Sequence, residues 1–128
     1  MKTRAYSSLL AAMVATFGSF ALAAPAQATS AHGCSWPRVC FYLTQNAWVD
    51  ARPDASYKDM YYQTLGQRSR NADYIYNSRN DDGALIYWTN DLGGAGTFCL
   101  RPNESVHTVP LDEHVYAIEI KDSPICAY

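Results

Sequence analysis

Cys40-Phe-Tyr-Leu-Thr-Gln-Asn46 and Leu85-Ile-Tyr-Trp-Thr-Asn-Asp91 are two copies of one pattern. Tyr and Thr are identical at matching places, and the amide or acid positions agree in type. Each run is short, apolar and rich in aromatic and β-branched side chains, which fit a pleated surface better than a helix. Further along each half, Asp73-Tyr-Ile-Tyr76 matches Val115-Tyr-Ala-Ile118. Two halves with four short strands apiece predict an all-β fold, two Greek-key motifs packed face to face as a sandwich.

Outward from these segments the chain keeps the same rhythm. Strands are expected over 38–43, 61–65, 73–77, 85–89, 97–100, 105–109 and 115–120. Turns are expected at 66–71, at Asn80-Asp-Asp-Gly83 and at Arg101-Pro-Asn103, where Asn, Asp and Gly tolerate positive φ. Asp91-Leu-Gly-Gly-Ala-Gly96 reads as a loop, its glycines suiting a hairpin connection. The stretch 47–60 is mixed, and Asp54-Ala-Ser-Tyr-Lys-Asp59 suggests a single turn of helix. No segment holds helical periodicity for three turns.

The N-terminus has a different character. Lys2 and Arg4 precede an apolar run from Leu9 to Leu22, followed by Ala26-Gln27-Ala28. Charge, apolar run and small-x-small site together mark a signal peptide over residues 1–28, with Thr29 the expected mature start. The apolar run is short of the roughly 20 residues a membrane span needs. A single secreted β domain over 29–128 is expected. Without Lys2 and Arg4 the 10 basic residues become 8, against 12 acidic ones, for a net charge of −4. That balance argues against nucleic acid and anionic membranes, both of which select basic faces.

Cys34, Cys40, Cys99 and Cys126 all lie in the exported part, where an even count implies disulfides. Three pairings are open to four cysteines. The six-residue spacing favours Cys34–Cys40, leaving Cys99–Cys126 by elimination.

Cys34-Ser-Trp-Pro-Arg-Val-Cys-Phe-Tyr42 also resembles the opening Cys-Pro-x-Gly-x-Val-Cys-x-Tyr of a family of small secreted actinobacterial peptidase inhibitors. That family includes a metalloproteinase inhibitor with a βγ-crystallin-like fold. The resemblance extends through the Tyr74–Asn77 and Tyr87 strands and covers roughly residues 34 to 126. It implies the two-Greek-key sandwich, a Cys34–Cys40 bridge, a monomer without cofactor, and an extracellular protease or other secreted protein as partner. Ser35 stands where the family has Pro, and Pro37 where it has Gly. The family's disulfide-tied, substrate-like loop in the second half has no counterpart, because Cys99 lacks a close partner there.

The candidate inhibitory loop is therefore the first ring, which would present Trp36, Pro37 and Arg38. A rigid loop binds a protease cleft at lower ordering cost, and Arg38 would fill an acidic specificity pocket. The plainer role is a clip that pins the first strand. A calcium-binding module is the alternative function, with Asn80, Asp81 and Asp82 as oxygen ligands; their plainer role is a turn. Asn71-Ala-Asp-Tyr-Ile-Tyr76 and Asp112-Glu-His-Val-Tyr-Ala117 come near a βγ-crystallin calcium motif but lack its hydroxyl pair. Catalysis is not expected. There is no Gly-x-Ser-x-Gly, no spacing singles out a carboxylate pair, and no motif surrounds His32, His107 or His114. Arg68, Arg70 and Arg79 read as a solvated basic face.

Overall fold

A computed structural model describes residues 30–127. The expected signal peptide, residues 1–28, and the mature start at Thr29 lie outside the described residues. Eight strands form two antiparallel four-stranded sheets. They are β1 (Val39–Tyr42), β2 (Ala55–Tyr57), β3 (Tyr62–Thr64), β4 (Tyr74–Asn77), β5 (Gly83–Thr89), β6 (Ala95–Leu100), β7 (Ser105–His107) and β8 (His114–Lys121). One sheet runs β2-β1-β4-β7 and the other β3-β8-β5-β6. The all-β expectation holds. The segments matched by the internal repeat take equivalent places: β1 lies between β2 and β4, and β5 between β6 and β8. The third strand of each half crosses to the other sheet, β3 onto β8 and β7 onto β4.

The inner faces close the main core. Val39, Phe41 and Ile75 from the first sheet meet Ala84, Ile86, Leu100, Val115, Ile118 and Ile120 from the second. Burial of such side chains contributes about 1.5–3 kcal/mol each before entropy is counted. All four residues of β1 are buried, so both of its faces are covered. Cys40 and Tyr42 point away from the main core into a second cluster with Cys34 and Tyr76. That cluster is roofed by the arm through Ala31 and by α1 (Gln45–Val49). Thr44 starts this helix, its hydroxyl accepting the Ala47 N–H at 3.1 Å. Trp48 then lies between His32 and Tyr74, with ring centroids at 3.7 and 5.0 Å.

Beyond β5 starting at Gly83 within the expected turn, the sequence expectation fails locally in three places. Asp54–Asp59 is not a helical turn but contains β2, paired with β1. Asp54 is held extended at both ends: its N–H donates to Phe41 O and its carboxylate accepts the Leu43 N–H at 2.8 Å. The helix falls earlier, at 45–49. β6 begins at Ala95, inside the expected loop, because the turn is closed tightly by Asn90, whose carboxamide accepts the Gly94 N–H. β7 ends at His107 rather than 109, since Pro110 has no N–H to extend a ladder and Val109–Leu111 turn into a 3-10 helix instead.

Candidate functional site

The Cys34–Cys40 and Cys99–Cys126 bridges are both formed, with Cα–Cα distances of 5.8 Å each. Gly83 sits against the second bridge. A Cβ there would lie 2.8 Å from Cys126 Sγ and 2.9 Å from Cys99 Sγ, so no larger residue fits. The first bridge is buried, and the ring it closes lies at the end of the sandwich where β4 finishes and β5 begins.

The ring is held from several sides. Cys34 N–H donates to Ala31 O, closing the arm into a tight turn with Gly33 at φ +72°. Any side chain at Gly33 would collide with the Ala51 carbonyl, 1.9 Å from the Cβ position. Tyr42 donates its hydroxyl to His32 O at 2.8 Å, fixing the arm from below. Within the ring Arg38 N–H donates to Ser35 O. Ser78 exchanges hydrogen bonds with the Arg38 backbone, its hydroxyl accepting from Arg38 N–H at 3.2 Å and donating to Arg38 O at 2.8 Å. The Trp36–Pro37 peptide is cis.

Arg79 completes this support. Expected on a solvated basic face, it is instead buried at 9% exposure, while Arg68 and Arg70 are exposed. Its Nε donates to Asp82 Oδ2 at 2.8 Å, and its Nη1 donates to Pro37 O at 2.8 Å. Nη1 also reaches Lys58 O at 3.4 Å. One guanidinium thus ties the ring, the β2–β3 connection and the turn before β5. Desolvating this charge is tolerable only because a buried carboxylate faces it. Asn77 braces the same turn: its amide donates to Asp82 O and Leu100 O, and its Oδ1 accepts the Arg79 N–H. The sequence held one signal for this, an acid three residues after the arginine, but that spacing also occurs in exposed turns.

The three candidate loop residues therefore meet different fates. Trp36 projects with 47% of its surface exposed, and Pro37 is half-buried. Arg38 is half-buried as well, and its guanidinium donates to Ser56 on β2 at 3.1 Å. The side chain that stands out from the ring is aromatic rather than cationic. Of the candidate calcium ligands, Asn80 and Asp81 are exposed, whereas the Asp82 carboxylate is engaged by Arg79.

The opposite end is built differently. There the loop before β4, the β5–β6 hairpin and the segment before β8 converge. Arg70, Asn71, Thr89, His114 and Tyr116 line a recess of about 410 Å³. A neighbouring one of about 280 Å³ shares Asn71 and His114 and adds Asp73, Thr108, Asp112 and Glu113. Burial pushes the Glu113 carboxyl above its ordinary range. His32 and His107 lie elsewhere, stacked on Trp48 and Tyr74 respectively.

No family model, curated protein or solved structure matches the chain. Both disulfides suit an oxidising compartment. Among the described residues no helix is long and apolar enough to cross a membrane.

Proposed function

We propose that this chain is a secreted, peptidase-inhibitor-like binding protein that seats its Cys34–Cys40 ring in the cleft of an extracellular protease. The observation that carries this reading is the ring itself. Its backbone is tied at Pro37 and Arg38 by Arg79 and Ser78, while Trp36 stands out exposed. A segment ordered before binding avoids most of the ordering cost on association. A single exposed tryptophan on a fixed loop has the character of an interface anchor. Export rests on the leader-like residues 1–28 together with the two bridges. The strand exchange between sheets supports reading the halves as Greek-key units of the βγ-crystallin type. The protein would act as a monomer, without catalysis, and inhibition itself would need no cofactor.

The test is inhibition by the purified, oxidised chain against a panel of extracellular metallo- and serine peptidases. Stoichiometric inhibition of at least one enzyme is expected. Trp36→Ala should weaken it at least tenfold without changing the melting temperature. Arg38→Ala should weaken it less, because the Arg38 guanidinium is engaged by Ser56. Absence of inhibition across the panel at micromolar protein would sink the proposal, as would full inhibition by Trp36→Ala.

A further inference from the structure

Three metal-ligating side chains from separate elements meet at the end opposite the ring. Asp91 comes from the β5–β6 hairpin, Asp112 from the residue after the 3-10 helix, and His114 from the first position of β8. The register between β5 and β8 pairs Thr89 with His114, which brings the hairpin alongside the start of β8. Asp91 Oδ1 lies 3.0 Å from His114 Nε2. One ligand atom from each of Asp91, Asp112 and His114 falls within 4.8 Å of the others. Donors around a four-coordinate zinc ion sit about 3.3 Å apart, given bonds of about 2.0 Å. The trio therefore needs only a small inward movement to share one ion. Asp91 and Asp112 are exposed and on turns, so they can make it.

A second observation concerns the adjoining recess. Glu113 lines it together with Asp112 and His114. Its Oε2 atom is buried and, among the described residues, has no hydrogen-bond partner. A buried acceptor with nothing donating to it calls for an explanation, and a water bound to a neighbouring cation would supply the donor. Carboxylates beside metal ligands commonly serve in this way.

We propose that Asp91, Asp112 and His114 form a binding site for a zinc-like divalent transition-metal ion, with Glu113 orienting an ion-bound water. The donor chemistry selects the ion. Calcium and magnesium prefer shells of oxygen alone, whereas an imidazole nitrogen with two carboxylates suits zinc. The two carboxylates balance the charge of a divalent ion. Arg70, on the recess beyond His114, is the nearby cation that this charge balance must tolerate. The site is independent of the ring and of inhibition.

The experiment is calorimetric titration of the oxidised chain with zinc, calcium or magnesium chloride, paired with thermal melts. Zinc should bind one ion per chain and raise the melting temperature by about 7 °C at roughly tenfold its dissociation constant. Calcium and magnesium should give no comparable rise. His114→Ala and the double change Asp91→Asn with Asp112→Asn should each weaken zinc at least tenfold. Their metal-free melts should stay close to the parent's, since Asp91 and Asp112 are exposed and His114 is only partly buried. Glu113→Gln should weaken it less. His32→Ala and His107→Ala should leave it intact. Absence of zinc binding at millimolar ion, zinc binding that survives His114→Ala, or equal stabilisation by calcium would each overturn the proposal.

Discussion

The two ends of the sandwich handle charge in opposite ways. At the ring end Arg79 and Asp82 are buried against each other, and the guanidinium bonds to Pro37 O, Lys58 O and Asp82, groups that shape the ring or its supports. At the far end Asp91 and Asp112 are exposed, and Asp91 makes a surface contact with His114. Charges taken out of water must be matched within the fold. Charges left in water stay available to a ligand. The ring end accordingly has the character of a preformed rigid surface, and the far end that of an ion site.

The largest effect should come from breaking the buried pair. Arg79→Ala leaves Asp82 buried without its partner and releases Pro37, and it should cost about 3–5 kcal/mol in urea unfolding. If the loss is under about 1 kcal/mol, the guanidinium does not hold the ring end together. Next, replacing both Cys34 and Cys40 by Ser should cost about 2 kcal/mol from loop entropy. It should also abolish inhibition if the ring is the inhibitory element. A double Ser variant that inhibits fully would separate the bridge from function.

A pH titration sharpens the contrast from the arm that leads into the ring. Burial, and to a lesser degree Tyr76, pushes the Tyr42 hydroxyl well above the ordinary tyrosine range. Its folded-state value is raised, so its contribution is complete below the unfolded value of about 10. It is lost as pH rises beyond that point, because the unfolded chain ionises first. Melting temperature should therefore fall above about pH 10, and the fall should be shallower in Tyr42→Phe. At the other extreme of pH, the Lys121 hydrogen bond, reinforced by Tyr87, holds the Glu119 carboxyl below its usual range despite some desolvation. That contribution is present above the unfolded value of about 4.3 and fades as pH drops through the folded one. Glu119→Gln should flatten this acid limb slightly. The smallest effect belongs to the far end: without metal, Asp91→Asn and Asp112→Asn should each change stability by less than about 0.5 kcal/mol. A larger loss would mean that these acids serve the fold.

The strands on either side of these ends were legible to different degrees. Val39–Tyr42 and the Leu85–Thr89 part of β5 announced themselves through apolar and aromatic runs, because a central strand covered by other chain must be apolar. Ala55–Tyr57 did not, since a three-residue edge strand is too short to show a period, and its backbone is placed by Asp54 reaching across to Leu43. The candidate ring was visible as a cysteine spacing, but its presentation was not. Trp36 stands out and Arg38 does not because Ser56 lies within reach of the guanidinium, a neighbour that only the β1–β2 pairing supplies.

The sequence alone determined what depends on local chemistry: the all-β character, the two similar halves, the turn residues and the cysteines available for bridging. The tertiary structure decided which charges are buried. Arg79 and Arg70 are the same residue type, nine positions apart in the chain. One is locked among Asp82, Pro37 and Lys58, and the other faces solvent. The meeting of Asp91 with Asp112 and His114 is likewise a product of strand register, because Asp91 lies far from the other two along the chain and reaches them only through the β5–β8 pairing. Desolvation and convergence of distant side chains are properties of the packed whole, and no window of residues carries them.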